Sequence, residues 1–481
     1  MLSDNNSMAS YRKGVDWLTL LLYVFLVAFG WANLYAANYN PEAGAQFSFN
    51  SEYFKQLIWI VISLACGGVI MLSDSKVFVV ASWLVYVLSL LLLTVVLFAG
   101  KEVYGAKSWL VIGPVAFQPA EFTKIGTALV LSRLMSRYGF TFSLKSYFKL
   151  FAVILTPVVF ILLQNDTGSA LVYFVFLLAM FREGMSPHIL IIGSLCVVVA
   201  IAALLLDAPP VLIFISAAGL VSMHLLMSRQ QLVWGAPLSL GVGLFVGVAL
   251  WAVMTFILDR PILEDYVILA GMGAATLTSL LLLIAHRLKG LGWLLAYVWI
   301  ALALAFGTSY AFDNILGDHQ RTRINVLFGI EDDPLGAGYN VNQSLIAIGS
   351  GGLTGKGYLG GTQTKLDFVP KQTTDFIFCT VGEEWGFFGS ALLVTVYVVF
   401  FLRILSLAEK QHSVFSRVFG YCVAGVFFFH FSINVCMTIG LMPVIGIPLP
   451  FFSYGGSSLW GFSVMLFIFL KLDTDRNFLI R

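Results

Sequence analysis

The stretch VFVVASWLVYVLSLLLLTVVLFA, residues 77–99, carries no charged side chain and is long enough to cross the apolar core of a bilayer as one helix. Comparable stretches recur from about Trp17 to Leu472, so no segment remains for a separate soluble domain. Hydrophobic residues make up 59% of the chain and charged residues 11%, with a mean hydropathy of +0.92. These values exclude a soluble globular protein and predict one all-α, polytopic membrane domain over residues 1–481.

Apolar stretches of about twenty residues predict about fourteen crossings. The predicted spans are 17–36, 56–72, 77–99, 118–135, 150–164, 168–182, 188–206, 211–227, 232–258, 264–285, 291–312, 376–402, 416–441 and 456–472. An even number places both termini on one side of the membrane. The connections on that side carry most of the cations, including Arg137, Lys145 and Arg229, so the positive-inside rule makes it the cytoplasmic side.

The same count places residues 313–375 outside the membrane, in one connection of roughly sixty residues, whereas connections usually have about four to six. This loop combines cations, carboxylates and a glycine-rich run at residues 349–357. Dense glycine lets the backbone approach a ligand closely. A cation can stabilise a pyrophosphate leaving group while a carboxylate takes a proton, which suits an anionic substrate. The alternative is an ordinary solvated loop rich in turns, and composition alone does not separate the two.

Two further features exclude other kinds of site. The five cysteines lie within apolar stretches at irregular spacing, which indicates packing rather than a disulfide framework or a metal cluster. The formal net charge is +2 and no basic stripe is present, so we expect no nucleic-acid partner.

Four motifs follow one another along the chain. They are Gln118–Lys124, Asp333–Tyr339, Thr374–Phe378 followed by Glu383-Glu384, and Asn434–Ser458, which contains Gly446-Ile447-Pro448-Leu449-Pro450. Together, over about residues 12–472, they resemble the SEDS family of cell-wall polymerases, the group that contains RodA and FtsW. Ile445 stands where the family usually has a threonine. Residues 355–363, Gly-Lys-Gly-Tyr-Leu-Gly-Gly-Thr-Gln, are more similar to the elongation-type RodA branch than to the division-type FtsW branch.

The resemblance implies a SEDS-type helical bundle that polymerises lipid II into glycan strands at the outer face of the bacterial cytoplasmic (inner) membrane, during elongation and shape maintenance. The family's catalytic aspartate falls on Asp333, whose proposed role is general base. It would deprotonate the acceptor hydroxyl as this attacks the donor's anomeric carbon, with inversion and departure of undecaprenyl pyrophosphate. A carboxylate with an ordinary pKa of about 3.9 is ionised at neutral pH. Asp332 is the alternative base, or a ligand for a divalent cation such as Mg²⁺ or Mn²⁺.

The resemblance also implies partners. These are a class B penicillin-binding protein transpeptidase, which crosslinks the new strands, and other membrane proteins of the elongation complex.

Several cations and polar groups are candidates for substrate binding. Arg321, Arg323 and Lys356 suit a pyrophosphate, although each can instead pair with a loop carboxylate. Lys124 and Glu121 lie at the outer end of a span, where they either serve function or form a structural salt bridge. The further candidates are Lys107, Gln343 and Ser344. Lys107 lies one residue before Ser108, a position where the family usually has an arginine.

Other polar positions favour structural roles. We expect Asp375 to cap the helix that follows it, Asp166 to cap another, and His430 to be a satisfied core histidine. The family usually reads Pro-Glu-x-His-Thr-Asp where this chain has Pro370-Lys371-Gln372-Thr373-Thr374-Asp375, so no role of that glutamate or histidine carries over. The proline and glycine run from Pro443 predicts a broken helix, which either shapes a groove for the lipid or is a packed re-entrant turn.

The family core has about ten crossings, and the surplus here lies between residues 188 and 285. We expect these four inserted helices to be accessory and peripheral. Three other readings stay open: a lipid II flippase, a division-type polymerase, and a scaffold without catalysis. A transporter would be expected to show two repeated halves, and no internal repeat is visible.

Overall fold

The computed structural model describes residues 14–39, 51–103, 106–113, 115–205, 214–215, 218–219, 222, 234–253, 255, 264–286, 291–314, 321–322, 325, 338–366 and 368–476. Within these ranges the chain forms two compact units, and each is considered by itself. The first contains residues 1–185 and 323–481, and the second contains residues 186–322.

The first unit is a helical bundle. Its helices are α1 (Trp17–Ala37), α2 (Glu52–Leu72), α3 (Ser75–Ala99), α4 (Pro119–Met135), α5 (Leu144–Leu163), α6 (Thr167–Leu171), α7 (Val175–Arg182), α12 (Tyr339–Ser350), α13 (Ile377–Glu409), α14 (Val414–Thr438) and α15 (Gly456–Thr474). A 3₁₀ turn, Val172–Phe174, joins α6 to α7. Helix α4 is buried along most of its length, as are α14 and α15, so these three form the centre.

The second unit contains helices α8 (Pro187–Leu205), α9 (Gly235–Ala252), α10 (Glu264–His286) and α11 (Leu291–Asn314). Helices α9 and α10 touch backbone to backbone, because a Cβ on Gly243 would lie 2.7 Å from the carbonyl oxygen of Gly271. Small residues at such a crossing are typical of helices packed in membranes. The predicted insertion, residues 188–285, lies wholly within this unit.

Eight of the described helices are long and apolar enough to cross a membrane. Shorter apolar helices cover Thr167–Arg182, Pro187–Ala203, Pro237–Ala252 and Ala270–His286, and α4 is the span that carries Glu121 and Lys124. Every predicted span except 211–227 therefore coincides with a described helix, while 211–227 falls largely outside the described residues. The prediction of an all-α polytopic membrane protein is confirmed. Helices suit lipid because they satisfy their backbone hydrogen bonds internally.

The segment between α3 and α4, which the span prediction left as a connection, forms a small sheet. Strands β1 (Lys101–Val103), β2 (Ala106–Ile112) and β3 (Val115–Phe117) pair antiparallel in that order, with Lys101 opposite Trp109 and Leu110 opposite Phe117. The sequence holds a partial signal for this, because it has a glycine between the first two strands and another between the last two, and glycine is common in hairpin turns.

Candidate functional site

The predicted outer loop is only partly described. Asp333, Asp332 and Arg323 lie outside the described residues, and Arg321 is half-buried in the second unit. The site is therefore built from the part of the first unit that follows Asp333 in the chain.

Helix α12 begins six residues after Asp333 and is attached to the bundle at two points. The hydroxyl of Ser344 is fully buried and donates a hydrogen bond to the carbonyl oxygen of Thr438, 2.9 Å away at the end of α14. Ala347 packs in a small core with Phe376 and Cys379 at the start of α13. Ser344, a predicted substrate contact, thus supports the fold, while Gln343 is half-buried on the same helix.

Helix α13 is broken in its N-terminal part at Gly386, whose φ of 64° and ψ of −160° lie outside the helical region. In an unbroken helix Phe387 and Phe388 would donate to the carbonyls of Glu383 and Glu384. Their N–H groups donate instead to the carbonyls at positions 352 and 353, at 2.9 and 3.1 Å. The vacated carbonyls accept from the N–H groups at positions 356 and 357, at 3.0 and 2.9 Å. Both of these helix bonds are therefore replaced by bonds to the stretch of residues 351–357, which we call the glycine segment.

The glycines of this segment are required by the closeness of the two backbones. A Cβ on Gly351 would overlap the carbonyl oxygen of Gly382, and one on Gly355 would overlap that of Glu384. Gly355 also has a φ of +80°, which side-chain-bearing residues rarely adopt. The dense glycine predicted a close approach of the backbone to a ligand, and the close approach in the structure is to the broken helix.

The carboxylate of Glu383 is fully buried and is surrounded by donors. One oxygen accepts from the N–H of Thr362 at 2.7 Å, its hydroxyl at 3.1 Å, the N–H of Gln363 at 2.9 Å and the ammonium of Lys356 at 2.6 Å. The other accepts from the N–H and hydroxyl of Thr364 at 3.0 and 2.8 Å. Lys356 also donates to the hydroxyl of Thr362 at 2.7 Å, so this predicted pyrophosphate contact is paired with a carboxylate. We call these five residues the Glu383 cluster.

The neighbouring Glu384 differs sharply. It is 1% exposed, and no donor meets its carboxylate oxygens at ordinary hydrogen-bond geometry among the described residues, although the backbone N–H groups of Leu359 and Gly361 and the cation of Lys365 act on it. Of two adjacent buried carboxylates, one therefore accepts six short hydrogen bonds and the other interacts more weakly with the same part of the chain.

A second buried charge lies at the centre of the bundle. Lys124 of α4 forms a salt bridge with Glu121, with 2.8 Å between Nζ and Oε1, and both side chains are almost fully buried. Its ammonium also lies 2.8 Å from Nε2 of His430 on α14 and 5.2 Å from the ring centre of Phe462. The salt bridge left open by the sequence is present, and His430 is the satisfied core histidine that the sequence predicted, with the Lys124 ammonium as its partner.

The re-entrant segment, residues 439–455, connects α14 to α15, and its second half, from Ile447 to Ser453, is packed into the core. The side-chain amide of Asn434 donates to the carbonyls of Asp375 and Ile447 at 2.8 and 2.7 Å. The hydroxyl of Tyr397 donates to the carbonyl of Pro450 at 2.6 Å. Phe451 adopts a left-handed φ of 65°. The predicted helix break is therefore held by side chains from α13 and α14.

The two predicted caps have different outcomes. Asp166 is confirmed, since its carboxylate accepts from the N–H of Ser169 at the start of α6, at 3.0 Å. The prediction for Asp375 is wrong, because Phe376 occupies the cap position of α13 and no side chain caps it. Asp375 instead pairs with Lys371, 3.7 Å away. Burial raises the pKa of Asp375, while Lys371 acts in the opposite direction.

The remaining predicted contact, Lys107, lies on β2 and donates from Nζ to the carbonyl of Phe98 at 3.2 Å. For a divalent cation, the candidate ligand Asp332 is outside the described ranges. Within those ranges, no three histidine, cysteine, aspartate or glutamate side chains are grouped to hold a metal ion.

Sequence reasoning missed the Glu383 cluster and the partnership of His430 with Lys124. The adjacent pair Glu383-Glu384 inside an apolar stretch was a signal for the first, because a carboxylate there needs partners. The position of a lone histidine in the sequence held no signal for the second.

Helical spans, a proline-containing segment packed between them and a loop joined to a broken helix define a polytopic membrane protein. The family model for FtsW, RodA and SpoVE, described as a cell cycle protein, matches residues 16–225 and 243–477. The chain belongs to this family.

Relatives within the family are similar over different lengths. The peptidoglycan glycosyltransferase RodA of Treponema pallidum (strain Nichols) is 34% identical over 451 residues, which cover 92% of this chain and 94% of the relative. The peptidoglycan glycosyltransferase MrdB of Escherichia coli (strain K12) is 40% identical over 208 residues, which cover 43% of this chain and 56% of that protein. A solved chain described under structural coordination of polymerization and crosslinking by a peptidoglycan synthase complex has a TM-score of 0.59 and 25% identity. That match covers 96% of this chain and 98% of the other.

Proposed function

We propose that this protein is a RodA-type peptidoglycan glycosyltransferase that polymerises lipid II into glycan strands during cell elongation. The observation that carries the proposal is the 34% identity with the Treponema pallidum enzyme over 94% of that enzyme's length. The reaction takes place at the outer face of the bacterial inner membrane, with both termini of the chain in the cytoplasm. The division-type FtsW function and the flippase function are the alternatives.

Asp333 is the proposed general base. Its carboxylate takes the proton of the acceptor hydroxyl while that oxygen attacks the donor's anomeric carbon, and undecaprenyl pyrophosphate leaves with inversion. Proton transfer by a positioned side chain contributes about 10²- to 10⁴-fold to the rate. The two attachments of α12, at Ser344 and Ala347, support this assignment because they fix the chain just after the catalytic residue.

Cations of the loop stabilise the leaving pyrophosphate. Arg321 and Arg323 are the proposed contacts, because a guanidinium binds phosphate oxygens in a fixed two-pronged geometry. Lys356 is less suited, since its ammonium is already paired with Glu383. The groove for the lipid tail is formed by the helices beside the re-entrant segment.

A class B penicillin-binding protein is the proposed partner, together with other membrane proteins of the elongation complex. The similarity to a chain from a complex that couples polymerization and crosslinking supports this. Residues 188–285 are proposed to be accessory. A deletion of these residues, with the flanking helices rejoined, should leave a folded protein that polymerises lipid II, and loss of activity in a folded deletion protein would refute the accessory role.

The purified protein in lipid nanodiscs, supplied with lipid II, tests the enzymatic function. We expect glycan strands from the wild type and a loss of at least about a hundredfold in Asp333→Asn. Asp332→Asn is the matched control, with the same charge change one residue away, and should keep most of the activity. Wild-type turnover in Asp333→Asn would exclude it as base. A wild type that makes no strands but moves lipid II across vesicle membranes would establish the flippase instead.

A further inference from the structure

The Glu383 cluster holds a carboxylate that the proposed mechanism does not use. We propose that Glu383 is a positioning residue of the transferase reaction, which holds the chain on the C-terminal side of Asp333 in one conformation. This inference rests on the proposed function.

The geometry shows what Glu383 organises. Its two oxygens accept six hydrogen bonds, from three backbone N–H groups, two hydroxyls and one ammonium, all within residues 356–364. This stretch contains glycine at positions 357, 360 and 361, so it has much conformational freedom to lose on folding. A single charged acceptor on a helix fixes it, since hydrogen bonds to an ionised group are about twice as strong as neutral ones.

The cluster is continuous with the region that follows Asp333. Helix α12 leads directly into the glycine segment, which replaces the missing backbone bonds of α13 around Gly386. Lys356 joins the two structures, because its N–H bonds to the carbonyl of Glu383 while its ammonium bonds to the carboxylate of the same residue. Losing the hydrogen bonds to the Glu383 carboxylate therefore weakens the contacts that hold the C-terminal end of α12.

The choice of a buried charge is itself informative. Burying a carboxylate is costly, and well-packed apolar groups often give equal or greater stability. Glu383 is 0% exposed and fully satisfied, which is the arrangement expected where a unique geometry matters more than stability. A general base displaced by about 1 Å can lose about a hundredfold in rate, so such support has a direct kinetic value.

Glu384 provides a matched control. It is the same residue type, adjacent in sequence and equally buried, but it accepts none of the short hydrogen bonds that Glu383 accepts, although the backbone N–H groups of Leu359 and Gly361 act on its carboxylate. Glu383→Gln and Glu384→Gln remove the same charge one position apart. In the first variant, an NH₂ group that cannot accept a hydrogen bond replaces an oxygen that accepts short ones.

The experiment measures lipid II polymerisation by monodisperse, folded full-length protein in nanodiscs. For Glu383→Gln we expect kcat to fall by about ten- to a hundredfold with KM within about twofold, and amide hydrogen exchange of residues 356–364 to rise. Glu384→Gln should change kcat by less than about twofold and raise that exchange less than Glu383→Gln does, since its contacts with Leu359 and Gly361 are weaker. Wild-type kcat in folded Glu383→Gln would overturn the proposal, as would equal losses in both variants.

Two further variants keep the test decisive. If Glu383→Gln does not fold, Thr364→Val removes one hydroxyl donor and keeps the charge, and kcat should fall about threefold, while an unchanged kcat overturns the proposal. Combining Glu383→Gln with Asp333→Asn should cause no loss beyond that of Asp333→Asn alone, because the positioning effect acts through Asp333. Activity in Asp333→Asn would refute Asp333 as the general base. Activity in Glu383→Gln, with Asp333→Asn inactive, would instead refute only the positioning role of Glu383.

Discussion

Lys124 Nζ lies 2.8 Å from Nε2 of His430, a contact between α4 and α14 across 306 positions of sequence. Nδ1 of the same imidazole lies 3.3 Å from the carbonyl of Pro448, so the ring donates from Nδ1 and accepts at Nε2. The buried charged pair of α4 is thereby connected through one histidine to the re-entrant segment. The centre of the bundle depends on this neutral imidazole.

His430→Gln is expected to be tolerated, because a glutamine oxygen can accept from the ammonium in place of Nε2. His430→Leu removes the acceptor and leaves a buried ammonium donor unpaired, which costs about 1–3 kcal/mol of stability. Thermal unfolding of the two variants in detergent measures the difference. Equal stability of both would show that the histidine only fills space.

Gly386→Ala should destabilise the outer half of the first unit. The φ of +64° is strained for alanine by about 1–3 kcal/mol, and the added Cβ would collide with the backbone N of Gly355. The expected result is a loss of folded protein by fluorescence-detected size exclusion.

Gly349→Ala is the matched control for that variant. Gly349 lies in α12 with no atom within 4 Å of an added Cβ, so the substitution should be neutral or gain up to about 1 kcal/mol. Comparable losses for both glycines would contradict the replacement of helix bonds by the glycine segment.

Asp375 should make stability depend on pH. Burial raises its pKa in the folded protein above the ordinary 3.8, and Lys371 limits that rise. The fold therefore favours the neutral carboxyl group. The stability that this group contributes is fully present below about pH 3.8 and is lost as the pH rises through its pKa in the folded protein.

Asp375→Asn removes this dependence, so its stability relative to the wild type should increase as the pH rises from about 4 toward neutrality. Lys371→Met should raise the pKa of Asp375 in the folded protein further, because the carboxylate loses its nearby cation. The loss of stability should then extend to higher pH. Melting temperatures in detergent across this range measure both effects. Parallel curves for wild type and Asp375→Asn would show that Asp375 does not titrate in this window.

The orientation of the chain can be tested at two exposed positions in a variant whose five native cysteines are replaced. Leu366 is 66% exposed in the loop before α13, and Tyr138 is fully exposed between α4 and α5. Leu366→Cys should react with a membrane-impermeant maleimide on intact cells, whereas Tyr138→Cys should react only after lysis. The reverse pattern would overturn the positive-inside assignment.

Much of the helical layout could be predicted, and the errors have physical causes. Helix α5 was predicted from residue 150 but begins at Leu144, because Ser143 caps it and the helix extends beyond its lipid-embedded part. The hydropathy signal reports only the apolar part of a helix. Helix α13 likewise continues to Glu409, past the predicted end at residue 402.

The candidate site was less accessible to prediction, as Ser344 and Lys356 illustrate. Both are polar residues of an outer loop, which made them reasonable substrate contacts. In the structure, the Ser344 hydroxyl donates a hydrogen bond to the carbonyl of Thr438, and the Lys356 ammonium donates one to the carboxylate of Glu383. A polar side chain in the sequence does not reveal whether its partner is a ligand or another part of the chain.

The sequence by itself determined that this protein is a polytopic helical membrane protein of the FtsW, RodA and SpoVE family, and it singled out Asp333. These conclusions depend on local quantities, namely the length and hydropathy of each apolar stretch and the order of short motifs. Only the tertiary structure decided which polar groups are satisfied by one another. Lys124 meets His430, and Glu383 gathers residues 356–364, because folding brings distant segments within about 3 Å, where a buried charge finds the partners it needs.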